Sequence, residues 1–219
     1  YFKNIFFQSM PITISICGYA LAAAIIFTYV GQSGEYAVAG YGVGTRIEQV
    51  VLLPILGINT AIISIIAQNY GAKNFDRIKQ TYLTAIKYAF IIMITSGIII
   101  FISAGIITSI FSSDPEVIEY GKRYLKISAF VLPAYPVFFL SNGFFMALKK
   151  SENAMISNFF RNVLNPIVVF HIAKYIDASF ETFFWIWVGI NWFFSISYFL
   201  IVIYYFKVKL NKFSTVIHP

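Results

Sequence analysis

Long apolar segments alternate with short polar ones along the chain. We predict six membrane-spanning helices from this pattern, at about residues 5–30, 36–69, 82–111, 124–148, 154–173 and 183–206. Each segment is close to or above the ~20 apolar residues that a helix needs to cross a bilayer. The pattern therefore predicts an all-α, polytopic membrane protein, with residues 1–210 as a six-helix transmembrane bundle and residues 211–219 as a C-terminal tail.

The composition of the chain also favours a membrane protein. Of the 219 residues, 59% are hydrophobic and 11% are charged, whereas a soluble domain is about 25% charged. The single cysteine, Cys17, excludes a disulfide within this chain. The first residue is Tyr1 and an apolar segment follows almost at once, so we expect the sequence to be part of a longer protein.

The polar loops fall into two groups by charge. Basic residues mark the start of the chain, the second and fourth loops and the end of the last segment: Lys3, Lys73, Arg77, Lys79, Lys149, Lys150, Lys207, Lys209 and Lys212. Acidic residues mark the other loops: Glu35, Asp114, Glu116, Glu119, Asp177 and Glu181. The basic exceptions on this side are Lys122, Arg123 and Lys174. Because cytoplasmic loops are enriched in Lys and Arg, we predict a protein of the cytoplasmic membrane with both ends of this segment in the cytoplasm.

Two charged residues lie inside the second apolar segment. Arg46 and Glu48 are about ten residues from its start, which is ~15 Å along a helix. Charges at such depth usually face protein or water rather than lipid. Two residues apart, they cannot face each other on a regular helix. Either they line a polar cavity and handle a substrate charge or a proton, or they pair with neighbouring helices and fix the packing.

Prolines and glycines interrupt several segments. Pro11, Pro54, Pro133, Pro136 and Pro166 each favour a bend, because proline removes a helix hydrogen bond. Such bends fit a transport pathway with hinges, and they also fit a kinked bundle without moving parts. The group Gly40, Gly42 and Gly44 is predicted to allow close packing of helices.

Other polar residues have local interpretations. Asp114 is predicted to cap a helix that begins at Pro115. Arg161, two turns into the fifth segment, is predicted to extend to the cytoplasmic surface. Asn142 is one of several asparagines at depth, which most often bond helix to helix. The sequence has no metal-ligand cluster, nucleophile motif or paired carboxylates, so we predict neither an enzyme nor a cofactor.

The end of the second segment carries a family resemblance. Arg46-Ile47-Glu48, Pro54, Gly57 and Gln68-Asn69-Tyr70-Gly71-Ala72-Lys73-Asn74, followed by Arg77, resemble the eighth transmembrane helix of the multidrug and toxic compound extrusion (MATE) transporters. The first segment, with Pro11 near its start, resembles the seventh helix of that family. The stretch Ala147-Leu148-Lys149-Lys150-Ser151 resembles the end of the tenth. The resemblance implies the C-terminal lobe, helices seven to twelve, of a twelve-helix transporter.

The resemblance also implies a function and a set of partners. The expected activity is secondary active antiport, which exports drugs or other amphipathic organic cations in exchange for Na⁺ or H⁺ by alternating access. The expected partners are the small-molecule substrate, the lipid bilayer and an N-terminal lobe of the same chain. The candidate residues of the substrate or ion pathway are Tyr19, Arg46, Glu48, Tyr135 and Asn142.

The position of the ion site is left open by the resemblance. Some branches of the family use carboxylates in helices seven and ten for cation coupling. Here the first segment has no acid between Lys3 and Glu35, and the fourth has none between Glu119 and Glu152. We expect coupling in the N-terminal half, with participation of Glu48 as the alternative.

Two other functions fit the same pattern of segments. A flippase for lipid-linked oligosaccharides or polysaccharides has a similar architecture and would be favoured by a wide, basic cavity. The other alternative is a membrane scaffold protein that has no transport activity. A second copy of the six-segment pattern upstream would favour the transporter over the scaffold.

Overall fold

The computed structural model describes residues 18–210, and the regular structure in that range is helical throughout. The all-α prediction is therefore confirmed for this part of the chain. Pro11, Cys17 and the rest of the first predicted segment up to residue 17 lie outside the described residues. So does the predicted tail at 211–219.

The helices follow one another with short connections. They are α1 (Gly18–Gly31), α2 (Glu35–Gly71), α3 (Phe75–Phe111), α4 (Pro115–Ser128), α5 (Tyr135–Ala147), α6 (Ser151–Phe159), α7 (Asn165–Tyr175) and α8 (Phe180–Tyr205). A 3-10 turn at Leu132–Ala134 joins α4 to α5, and a π-helical turn at Phe160–Leu164 joins α6 to α7. A second π-helical turn, Phe206–Leu210, follows α8.

Length and composition identify the helices suited to a membrane. Within residues 18–210, α2, α3 and the stretch Phe180–Val208 are each long and apolar enough to cross one. The pair α4 and α5 meets the same criteria together, with a bend of 41° at the break. α2 and α3 have 37 residues each, or ~55 Å, which exceeds a ~30 Å hydrocarbon core. The membrane limits of the six predicted segments stay a prediction.

The prolines differ in their effect on the helices. Pro54 lies inside α2, which continues unbroken from Glu35 to Gly71. Pro133 lies in the 3-10 turn between α4 and α5, and Pro136 begins α5. Pro166 follows the π-helical turn directly. The predicted bend therefore occurs in the fourth segment, the fifth segment has a π-helical turn before its proline, and the second segment is a single long helix.

One helix, α3, begins earlier than predicted, and α4 begins at Pro115 as the predicted cap at Asp114 indicated. α3 starts at Phe75 rather than near residue 82, because the Asn74 side chain caps it by accepting from the Arg77 amide at 3.3 Å. α4 starts at Pro115, where the Asp114 carboxylate accepts from the Glu116 amide at 2.8 Å. The predicted cap at Asp114 is confirmed, and polar residues extend both helices beyond the apolar segments.

The break between α4 and α5 is closed by hydrogen bonds from α8. Trp192 Nε1 donates to the carbonyl oxygen of Phe130 at 2.8 Å. Ser195 Oγ donates to the carbonyl oxygen of Ala134 at 3.1 Å. Carbonyl groups freed by a helix break must find partners at membrane depth, and α8 donates to a carbonyl on each side of this break.

Candidate functional site

A cavity of about 280 Å³ lies inside the bundle, and we call it the central cavity. Residues from α1, α2, α4, α5, the α6–α7 region and α8 form its walls. Its polar lining side chains include Tyr19, Tyr41, Thr45, Glu48, Gln49, Tyr124, Tyr135, Asn158, Arg161 and Asn162. The rest of the wall is largely aromatic and aliphatic, so charged groups in the cavity are partly shielded from water.

Glu48 is the carboxylate of the central cavity. Its side chain belongs to α2 and is 8% exposed. The Tyr124 hydroxyl from α4 donates to Oε2 of Glu48, and the Tyr135 hydroxyl from α5 donates to Oε1 at 2.5 Å. Each carboxylate oxygen therefore has a phenol donor, and hydrogen bonds of this charge-assisted kind are short and strong.

A glycine on α2 gives Tyr124 its position. A Cβ atom at Gly44 would overlap the ring of Tyr124, so only glycine leaves room for that ring against α2. Gly44 lies one helical turn before Glu48, and the ring that fills its space carries the hydroxyl to the carboxylate. One turn earlier, Gly40 allows α2 and α4 to approach closely, since its Cβ would lie 2.7 Å from the Gly121 amide nitrogen. Nothing lies within 4 Å of a Cβ at Gly42, so the packing prediction holds for Gly40 and Gly44 only.

Arg161 is the cationic residue of the central cavity. The predicted extension of its side chain to the cytoplasmic surface is wrong, because Arg161 lines the cavity wall. Its guanidinium carbon lies 4.1 Å from the ring centroid of Phe138, 4.8 Å from that of Tyr135 and 5.4 Å from that of Phe139. Its Nε donates to Oδ1 of Asn191 on α8 in a long hydrogen bond of 3.4 Å.

A π-helical turn carries Arg161 and changes the register of the helix around it. Such turns add a residue to the local repeat and are frequent at functional sites. The prediction for Arg161 rested only on its depth, two turns into the fifth segment, and took no account of the aromatic face of α5 that its side chain meets.

Glu48 and Arg161 share the cavity without direct contact. The ion pairs closer than 4.0 Å among the described residues join Glu119 to Lys122 and Arg123, and Arg123 to Glu181. The pairs of Glu119 lie within α4, and the pair of Arg123 and Glu181 links α4 to α8. The cavity thus holds one carboxylate and one guanidinium, with opposite charges that are separated rather than paired.

The five candidate pathway residues have different locations. Tyr19, Glu48 and Tyr135 line the central cavity. Arg46 is exposed and lies outside the cavity lining, as expected for a residue two positions from Glu48 on a helix. Asn142 is 7% exposed and bonds to its neighbours, accepting from the Tyr198 hydroxyl at 3.0 Å. These contacts of Asn142 are hydrogen bonds between helices, which is the structural interpretation given above for asparagines at depth.

Sequence reasoning missed two residues that complete the site. Tyr124 is 76 positions from Glu48 and was placed at the edge of a predicted segment. Arg161 was assigned to the surface. One signal was available for the arginine: Tyr135, Phe138 and Phe139 stand at i, i+3 and i+4, which gives α5 a single aromatic face. No comparable local signal pointed to Tyr124.

Comparisons with known proteins give a consistent result. A family model described as MatE matches residues 11–171. The FAD transporter of Shewanella oneidensis is 27% identical over 158 residues, covering 72% of this chain and 35% of that protein. The probable multidrug resistance protein YpnP of Bacillus subtilis is 29% identical over 164 residues, covering 75% of this chain and 34% of that protein.

Solved structures share the fold. A MOP superfamily transporter from Pyrococcus furiosus superimposes with a TM-score of 0.85 at 21% identity, covering 94% of this chain and 46% of that chain. An inward-facing MATE family transporter superimposes with a TM-score of 0.83 at 21% identity, covering 98% of this chain and 49% of that one. The chain thus spans about a third of the length of these curated relatives and about half of these solved chains.

Proposed function

This chain belongs to the MatE family, and we propose that it forms the C-terminal lobe of a cation-coupled exporter in the cytoplasmic membrane. The fold is the all-α membrane bundle of the solved MATE transporters. The names of the relatives describe transporters and drug-resistance or export proteins rather than enzymes, in agreement with the prediction that the protein is not an enzyme.

The proposed activity is antiport of an organic cation against Na⁺ or H⁺ by alternating access. An N-terminal lobe of the same chain would form the other wall of the pathway, and the bilayer would surround both. The share of the solved chains that this chain covers supports that arrangement. The charge pattern of the loops supports cytoplasmic locations for Lys73, Lys149 and the end of α8.

The observation that supports the mechanism best is the position of Glu48. A carboxylate that is 8% exposed in a mostly apolar cavity can hold one positive charge at a time: a proton, a sodium ion or the cationic group of a drug. Mutually exclusive occupancy of one acid is the simplest basis for exchange. This proposal gives Glu48 the role in coupling, whereas the expectation from the sequence is coupling in the N-terminal half, with Glu48 as the alternative.

The proposal is tested with the full-length protein in vesicles. Drug efflux is measured with sodium and proton gradients imposed separately, for the wild type and for Glu48→Gln. We expect one gradient to drive efflux and the variant to lose efflux while still inserting in the membrane. Glu152→Gln is the matched control, because Glu152 is exposed at the start of α6. Full drug efflux by Glu48→Gln would remove this residue from the mechanism.

A second candidate is the transport of an organic anion. Arg161 in the cavity wall is the observation that favours it, and one relative is named an FAD transporter. The flippase alternative has less support, since the cavity of about 280 Å³ contains both a carboxylate and a guanidinium and is neither wide nor strongly basic. Efflux assays with anionic and cationic substrates in parallel separate the two main candidates.

A further inference from the structure

We infer that Tyr135, Phe138 and Phe139 form an aromatic cage for the positive group of a planar or quaternary organic cation, and that Arg161 occupies this cage as a built-in competitor. The inference rests on the proposed export of organic cations and names the part of the cavity that would recognise them. Arg161 is then a specificity-determining residue: a substrate must displace its guanidinium.

The three rings lie on one face of α5. Tyr135, Phe138 and Phe139 stand at i, i+3 and i+4, and all three line the central cavity. Aromatic faces attract cations within about 6 Å of the ring centroid, and clusters of such faces recognise quaternary ammonium groups. The guanidinium carbon of Arg161 lies within that distance of all three rings, between 4.1 and 5.4 Å.

The cage adjoins the carboxylate. Tyr135 contributes its ring to the cage and its hydroxyl to Glu48, 2.5 Å from Oε1. An organic cation in the place of the guanidinium would therefore contact aromatic faces and lie near a negative charge. These are the two groups that favour a desolvated organic cation in a protein site.

The contacts that hold Arg161 permit displacement. Its hydrogen bond to Asn191 is long, at 3.4 Å, and no ion pair within 4.0 Å joins it to Glu48 in the described residues. Besides this hydrogen bond, the guanidinium is held by the three ring contacts and by its attraction to the Tyr135 hydroxyl and the Glu48 carboxylate. A flexible side chain on a π-helical turn can leave the cage and give up its place to a ligand that offers the same charge.

The competition is tested by ligand binding to the full-length protein. Ethidium serves as the planar cation, fluorescein as an anion of similar size, and N-phenylnaphthylamine as a neutral aromatic probe. We expect Arg161→Gln to bind ethidium about tenfold more tightly, which is the size of a desolvated cation–π interaction. Arg161→Lys should bind ethidium like the wild type because it keeps a competing charge. The neutral probe should bind all three proteins equally.

The matched control is Arg77→Gln at the start of α3, outside the cavity lining. Phe138→Leu in the Arg161→Gln background should remove most of the gain, since it deletes the ring closest to the guanidinium. Thermal unfolding and binding of the neutral probe show that each variant is folded.

Three results would overturn the inference: ethidium affinity unchanged or lower in folded Arg161→Gln, a gain in affinity that survives Phe138→Leu, or loss of fluorescein binding in Arg161→Gln, which would make Arg161 a ligand for an anion. The vesicle assay with imposed gradients is separate from these. Absence of gradient-driven cation efflux there would contradict the proposed function whatever the binding results.

Discussion

The hydroxyl of Tyr135 donates to Oε1 of Glu48 across 2.5 Å and joins the middle of α2 to the start of α5. This contact ties the carboxylate of the central cavity to the helix that carries the aromatic cage. Tyr135 therefore belongs to both parts of the site, through its hydroxyl and through its ring.

Tyr135→Phe removes the hydroxyl and keeps the ring. We expect the rate of drug efflux to fall by at least about tenfold, because a hydrogen bond to a charged group is worth ~1.5–3 kcal/mol and the carboxylate would lose one of its two phenol donors. Ethidium binding should change little, since the ring remains. Efflux rates and ethidium affinity in the full-length protein check the two expectations.

Tyr88→Phe is the control for this variant. Tyr88 is a tyrosine of α3 with 58% of its surface exposed in this lobe, away from the cavity lining. Equal efflux by Tyr135→Phe and the wild type would contradict a role for the hydroxyl.

Gly44→Ala is predicted to displace Tyr124 from Glu48. Overpacking costs ~1–3 kcal/mol, whereas alanine in place of glycine in a helix contributes ~1 kcal/mol. We therefore expect a net loss of stability and reduced efflux in Gly44→Ala. Gly42→Ala meets nothing within 4 Å and should be neutral or slightly stabilising. Thermal unfolding of the two variants measures the difference, and the opposite order would refute the packing argument.

The predicted topology is tested with single cysteines after Cys17 is replaced by serine. Cysteines at Ser151 and Ser214 should react with an impermeant maleimide only from the cytoplasmic side, because they follow the basic loop and the basic end of the last segment. A cysteine at Ser113, beside the acidic loop, should react only from outside. Labelling of Ser151→Cys from outside intact cells would reverse the orientation.

The apolar pattern predicted the helices better than their interruptions. Pro54 leaves α2 continuous, while Pro133 accompanies a break, although both are prolines within apolar segments. The neighbours differ: at the break, Trp192 and Ser195 of α8 donate to the carbonyl groups of Phe130 and Ala134. Tertiary partners of this kind are not visible in a local pattern.

The site was predictable only in part for a similar reason. Glu48 stands out because a carboxylate in an apolar segment is rare. Tyr124 lies 76 positions after Glu48 and reaches it through the packing of α4 against α2. Arg161 lies 113 positions after Glu48, on a π-helical turn, and lines the same cavity. Neither feature has a periodic signature, so the partners of Glu48 follow from the fold rather than from the residues beside it.

The hydrogen bonds from α8 to the break between α4 and α5 have a mechanical consequence. Because Trp192 and Ser195 hold the Phe130 and Ala134 carbonyls, straightening this bend would strand two polar groups in lipid or protein interior. Under the proposed transport mechanism, α4, α5 and α8 should therefore move together, with the angle between α4 and α5 preserved.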